Sequence, residues 1–274
     1  MHWILQYNLY REEGLVALIE GLRRLDIPYT LVKAVPMSDD APEGEQIYLY
    51  DETTDNVPFV NPPDGPVMVC GSTTLANIAA KRKWYPGSFL NSNHDYRVWK
   101  EHYGEHLLNV DAVVSRLDSV ERRVGPFFIR PCEDSKTFSG KVVDDWEDFV
   151  AWRDRVLSIS DHYTTLTPDA MVACSSPKII FTETRFFVVD GEIVGQSVYK
   201  RGKRVIYDAM VDDEAVAYAK EMIALWQPAR AFVIDIAWTD EGYRIVEINC
   251  INSAGFYAID VLKFISAIEN MDLS

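Results

Sequence analysis

The stretch FVIDIAWTDEGYRIVEINCINSAG, Phe232 to Gly255, decides the fold of this chain, because it sets three oxygen-bearing side chains, Asp235, Glu247 and Asn249, on two apolar runs. FVIDIAW and YRIVEIN are rich in β-branched and aromatic residues, and the turn Thr239-Asp240-Glu241-Gly242 between them predicts an antiparallel hairpin. Side chains alternate along a strand, so Glu247 and Asn249 share a face. A tight hairpin brings Asp235 opposite or diagonal to that pair. Ile234, Ile236, Ile245, Val246 and Ile248 leave apolar groups on both faces, the pattern of a sheet covered on both sides. A lone strand carboxylate is ordinarily solvent-facing. Carboxylates embedded between apolar faces need a partner, and oxygen donors so placed suit one or two hard cations shared with phosphates, Mg²⁺ above all.

Around this hairpin, a chain of 274 residues with 48% hydrophobic content has enough material for one large or two to three small domains. A formal net charge of −15 argues against a nucleic-acid-binding surface, which needs a basic patch to replace counterions. Cys70, Cys132, Cys174 and Cys250 are widely spaced, with no C-x-x-C, so neither a zinc site nor a disulfide framework is expected. A reducing cytoplasm is the expected compartment. The start, MHWILQYNLYREEG, lacks a basic segment followed by a long apolar one, and no run of 18 apolar residues occurs. A soluble, unprocessed protein without a membrane partner is expected.

Before the hairpin, Trp3 to Gln6 reads as a strand, EEGLVALIEGLRRL as an amphipathic helix, and Tyr29 to Val35 as a second strand. Gln46 to Tyr50 and Val57 to Val60 are strand candidates flanking loops. GPVMVCGS reads as a strand feeding the helix TTLANIAAKRK, with Ser72 or Thr73 as its N-cap. These elements predict an open-sheet α/β domain over residues 1–90. HDYRVWKEHYGEHLL and NVDAVVSRLDSV read as a charged helical linker. PFFIRP and KVV read as strands about the loop CEDSKTFSG, and WEDFVAWRDRVLSI as a helix, which closes a second unit over 91–175. The third unit, 176–274, holds a hairpin turning at Val189-Asp190-Gly191-Glu192, the helix DEAVAYAKEMIALW, the opening hairpin, and a helix from Tyr257 to Asn270.

An acidic strand residue, then E-x-N on the next strand, then the small-residue loop Asn252 to Gly255, resembles the metal-binding end of ATP-grasp enzymes. FFIRPCEDSKTFSGKVV resembles that family's strand ending in Lys-Pro, phosphate loop and return strand, with Arg130 in place of the lysine; a bidentate guanidinium can still hold a phosphate, so the role survives the substitution. The resemblance implies an ATP-grasp fold, mixed α/β and α+β, with clear order over residues 90–270. It implies ATP and Mg²⁺ as cofactors, with Asp235, Glu247 and Asn249 on the metal and Arg130, Lys136 and Lys141 on the phosphates. It places adenine against Pro177, Lys178, Ile179 and Ile180, and ribose on Glu183. Lys200 or Arg201 would approach the γ-phosphate or the acceptor, and Arg185 lies on the same strand face as Glu183. Where the family has Asp-Lys, this chain has Asp95-Tyr96, so Arg97 or Lys100 would substitute. Arginines for lysines resemble the clade named for two arginines and a lysine, many of them phage or bacterial proteins.

The implied activity is carboxylate activation as an acylphosphate followed by attack of an amine, on a small-molecule or peptide acceptor, with Arg130, Arg185 and Arg201 as catalytic candidates. A small-molecule kinase and a regulatory module that only binds ATP are the alternatives. His102 and His106 stand at i, i+4 without an H-E-x-x-H pattern, in charged surroundings that suit a solvent-facing helix. Trp146, Trp152, Phe186 and Phe187 read as core.

Overall fold

The computed structural model describes residues 1–7, 13–35, 47–50, 57–59, 61–134, 137–159, 166–252 and 254–273. The first sheet comprises β1 (His2–Gln6), β2 (Tyr29–Ala34), β3 (Ile47–Leu49), β4 (Val67–Cys70) and β5 (Pro86–Gly87), in the order β3-β2-β1-β4-β5. β1, β2, β4 and β5 run parallel and β3 is antiparallel to β2. Helices α1 (Glu13–Arg24) and α2 (Thr73–Lys81) connect them, and Ser72 caps α2, its hydroxyl accepting from the Leu75 amide at 3.4 Å. The expected strand at Val57 is reduced to one bridge, Pro58 to Tyr48; Val60 lies outside the described residues.

The second sheet holds β6 (Val113–Arg116), β7 (Phe127–Pro131), β8 (Lys141–Val143) and β9 (Met171–Ser175), ordered β6-β9-β7-β8, with α4 (Trp146–Leu157) against it. α3 (Tyr96–Tyr103) leads into it. The expected helix over Asn109 to Val120 is overturned: Val113–Arg116 pairs antiparallel with Met171–Cys174. Charged residues flank that run, but adjacent β-branched Val113 and Val114 fit a strand once a partner edge is available.

The third sheet contains β10 (Ile180–Val189), β11 (Glu192–Arg201), β12 (Arg204–Asp208), β13 (Ala231–Thr239) and β14 (Gly242–Asn249), all antiparallel, in the order β12-β11-β10-β13-β14. Asp190 (φ 46°) and Gly191 (φ 83°) form the β10–β11 turn where expected. After Tyr199 the chain forms a second hairpin about Gly202-Lys203, and RVIYD adds an edge strand. α5 (Asp213–Leu225) and α6 (Val261–Glu269) complete the fold. α6 starts four residues later than expected because Tyr257 is left-handed (φ 50°) and Asp260 is the cap, its carboxylate accepting from the Leu262 and Lys263 amides.

The cores explain how the sheets are held. Trp3, Leu5, Leu18 and Leu22 of the first unit pack with Phe187, Phe256, Phe264 and Ile265 of the third in one continuous core. Gly21 of α1 allows the close approach: a Cβ there would lie 2.6 Å from Ile265 Cδ1. Trp3 Nε1 donates to Glu269 Oε1 across the same seam at 2.6 Å. The second sheet has one core with Leu117, Phe127, Ile129 and Phe149, Trp146 and Trp152 being partly buried against it, and its Ala173 and the neighbouring Cys132 join a further core with Phe186, Ile234 and Ile245 of the third sheet. Phe186 and Phe187 are fully buried. No helix among the described residues is long and apolar enough to cross a membrane.

Candidate functional site

The second and third sheets face each other across a cavity of about 900 Å³, walled by β7 and β8 on one side and by β10, β11 and β14 on the other. The hairpin β13–β14 sets its floor. Regular pairing from the Thr239–Gly242 turn would put Val246 opposite Asp235, but a bulge between Asp235 and Ile236 makes Glu247 the partner. Glu247 and Asn249 both line the cavity. Asn249 Nδ2 donates to Glu247 Oε1 at 2.8 Å, which orients the carboxylate. Arg130, at the end of β7, reaches across the cavity: Nη1 donates to Val246 O at 3.0 Å and Nη2 to Glu247 Oε2 at 3.3 Å. Its guanidinium carbon lies 4.9 Å from the Trp99 ring centroid, a cation–π contact that steadies it.

Behind this floor lies a second layer. Arg185 is a bidentate partner of Asp235, with Nε to Oδ1 at 2.8 Å and Nη2 to Oδ2 at 2.7 Å. Asp235 is fully buried, and burial pushes its carboxyl up to about 6 against the opposing charge of Arg185. The guanidinium carbon lies 4.9 Å from the ring centroid of Tyr257 and 5.4 Å from that of Tyr199. Arg185 Nη2 is also 3.7 Å from Glu247 Oε1, so one buried cation sits between two carboxylates. The Tyr199 hydroxyl donates to Glu183 Oε2 at 2.8 Å and lies 3.3 Å from Asp235 Oδ2. Burial, and then the charges of Asp235 and Glu183, hold that phenol well above its usual range. Lys200 Nζ donates to the other Glu183 oxygen at 2.5 Å.

The opposite end of the cavity is the connection between β9 and β10. Pro177, Lys178 and Ile180 line it, whereas Ile179 is 63% exposed and does not. Lys178 is held to Asp111 at 3.0 Å. Against burial, which alone would raise it, bonds from Ser176 and the charge of Lys178 keep the Asp111 carboxyl below its usual range. Lys141 lines the β8 side, its ammonium 4.9 Å from the Trp152 ring centroid.

The structure thus gathers Arg130, Lys141, Pro177, Lys178, Ile180, Glu183, Lys200, Glu247 and Asn249 about one cavity. Other candidates stand away from that wall. Arg201 points to the far side of its hairpin, pairing with Asp208 at 3.4 Å. Arg97 is paired with Asp95 (2.5 Å) and lines a separate cavity of about 530 Å³ with Thr73 and Asn77. Lys100 donates to Ala112 O at 2.9 Å. Asp235 and Arg185 lie behind the wall, paired with each other. Lys136 falls outside the described residues. His102 stacks on Trp226 at 4.2 Å, and His106 lies near Tyr218. Sequence reasoning missed Asn109, Asp134, Tyr199 and Lys203, all of which line the cavity. Of these, Tyr199 had a signal in its position next to Lys200.

Cations on both walls, the β9–β10 connection at one end, and a carboxylate–carboxamide pair at the other suit a nucleotide polyphosphate with its metal. Among the described residues no three His, Cys, Asp or Glu side chains gather as a metal cage. Glu247 and Asn249 fit the alternative, a Mg²⁺ ion completed by phosphate oxygens and water.

Comparisons agree with this architecture. The solved structure of the ATP-grasp ligase PsnB complexed with minimal precursor is 14% identical, with a TM-score of 0.55 over 98% of this chain and 99% of that one. A RimK domain protein ATP-grasp from Sphaerobacter thermophilus DSM 20745 is 12% identical, with a TM-score of 0.58 over 93% and 92%. D-alanine–D-alanine ligase from Bacillus anthracis complexed with ATP is 12% identical, with a TM-score of 0.56 over 92% and 86%. At these identities the likeness is one of fold: an ATP-grasp fold, α/β and α+β, preceded by a small open-sheet domain. No curated protein matches the chain in sequence. The model of an ATP-grasp domain family, the third of the clade named for two arginines and a lysine, matches residues 52–268, and the chain belongs to that family.

Proposed function

We propose that the chain is an ATP-dependent carboxylate–amine ligase. The observation that carries this reading is the Arg130–Glu247–Asn249 cluster, where a guanidinium from one lobe meets an E-x-N pair from the other inside a cavity of about 900 Å³. ATP would lie with adenine at Pro177, Lys178 and Ile180, ribose on Glu183 and phosphates toward Arg130, Lys141 and Lys200. Glu247 and Asn249 would hold Mg²⁺, which would supply positive charge against the phosphates. Arg130 would stabilise charge on the transferred phosphoryl group. In the first step a carboxylate oxygen bonds the γ-phosphorus and ADP leaves. In the second an amine bonds the carbonyl carbon, loses a proton, and inorganic phosphate departs with the former carboxylate oxygen. No protein nucleophile is required. Arg185 and Asp235 act through Glu247, which Arg185 holds in place from behind. Complexes of PsnB with Mg and ADP and with a precursor peptide, and of D-alanine–D-alanine ligase with ATP, support the reading.

ADP and inorganic phosphate measured together, with Mg²⁺ across amino acids and peptides, test it. A ligase releases both only when carboxylate and amine are present. ADP without phosphate and without amine would identify a kinase, and tight ATP binding with no turnover would identify a binding module.

A further inference from the structure

β12 is the edge of the third sheet and pairs only with β11 among the described residues. Its outward face is apolar: Val205 is 69% exposed and Tyr207 56%, and Met210 just beyond the strand is 79% exposed. Folded proteins usually blunt such an edge, because its unpaired backbone groups invite another strand. The Tyr207 ring stacks on Tyr257 at 5.0 Å, and Tyr257 stacks on Tyr199 at 5.1 Å, so three rings join this edge to the cavity wall. Lys200, Arg201, Lys203 and Arg204 crowd five positions at the tip of the β11–β12 hairpin in a chain of net charge −15. Lys200 and Lys203 line the cavity mouth, and neither Lys203 nor Arg204 forms an ion pair among the described residues. Fields decay over about 10 Å in salt, so a ligand at this tip meets the local cations before the distant acids.

We propose that β12 docks an extended, carboxylate-bearing peptide as a sixth strand, with apolar side chains on Val205 and Tyr207 and acidic ones toward the basic tip. In the ligase reading, on which this substrate assignment rests, one of its side-chain carboxylates is the group activated: its oxygen bonds the γ-phosphorus and ADP leaves. A free amino acid would leave the five-residue edge and its apolar face uncovered. Main-chain pairing supplies affinity in such docking and alternate side-chain contacts supply selectivity.

The test is fluorescence anisotropy of a labelled octapeptide, Glu-Phe-Glu-Val-Glu-Leu-Glu-Thr, titrated with the full chain beside its lysine-for-glutamate counterpart. The acidic peptide should bind at least about tenfold tighter than the basic one, and weaken as NaCl rises from about 50 to about 500 mM. The double variant Arg204→Glu, Val205→Glu should lose at least about tenfold of that affinity while binding of a fluorescent ATP analogue is unchanged. Equal affinity for both peptides, or no effect of the double variant, overturns the proposal. A dimer in sedimentation that the double variant dissociates also overturns it, in favour of pairing between two copies. Peptide binding without ATP-analogue binding would uphold the docking edge and remove the ligase reading.

Discussion

Replacing Arg185 with Met keeps a long stem beside Tyr199 and Tyr257 but removes the cation that both oxygens of the fully buried Asp235 contact. Breaking a buried pair from one side leaves an uncompensated charge, at a cost of ~3–5 kcal/mol. The pH dependence separates that charge effect from lost packing. In the native protein burial pushes the Asp235 carboxyl from 3.8 up to about 6 despite Arg185. A carboxyl raised on folding contributes stability that is full below its unfolded value and is lost as pH rises through the folded one. For the wild type that loss is complete slightly above pH 6. Without Arg185 the folded value rises further, so the variant keeps losing stability where the wild type has stopped. The deficit should be constant below pH 6 and widen by ~1.4 kcal/mol per pH unit above it, until the variant's own value is passed. Urea unfolding of both proteins at half-unit steps from about pH 5.5 to about pH 8.5 measures it. Adding Asp235→Asn should cancel the widening, leaving only the constant part. A deficit below about 1 kcal/mol at pH 7, or one independent of pH, would refute the account of Arg185 as a structural counter-charge.

Three further outcomes follow from the geometry. Glu247→Gln should abolish Mg²⁺-dependent ADP formation while the melting temperature stays near that of the wild type, because the residue is partly exposed at the cavity floor; full turnover in this variant would remove the assigned metal position. Arg130→Lys should weaken binding of an ATP analogue by about tenfold in isothermal titration, since an ammonium cannot hold two phosphate oxygens in the bidentate way a guanidinium does. Phe264→Ala, in the core shared by the first and third units, should lower stability by ~3–5 kcal/mol in urea unfolding.

The legible parts of this fold were those where local pattern and tertiary environment agree. The Asp190-Gly191 turn, the Ser72 cap, and the paired apolar runs of β13 and β14 are local signals, and each lies where the residues placed it. Three features were not legible, each for a physical reason. Val113 to Arg116 carries flanking charges suited to a helix, and only the edge of β9 makes it a strand. Lys200 pairs with Glu183 only because two bulges, at Glu183/Thr184 and Phe187/Val188, each slip the register by one; a regular hairpin would bring Val198 there. Arg185 has the sequence of a reacting arginine, yet its neighbours are Asp235 and two tyrosine rings that come from other parts of the chain. Site composition was therefore readable at the level of the strands, whereas the assignment of cations to phosphate or to protein depended on pairings far apart in sequence.

The continuous core that joins Trp3 and Leu22 to Phe264 and Ile265 has a mechanical consequence. It fuses the first and third units into a single anvil. The second sheet has a core around Phe149 on one side, while its Ala173 and the neighbouring Cys132 share the core beneath the third sheet with Phe186 and Ile234, so the base of the cleft is braced as well. Arg130 comes from the second sheet and Glu247 from the third. Their 3.3 Å contact ties the same two sheets a second time, from inside the cavity that both residues line.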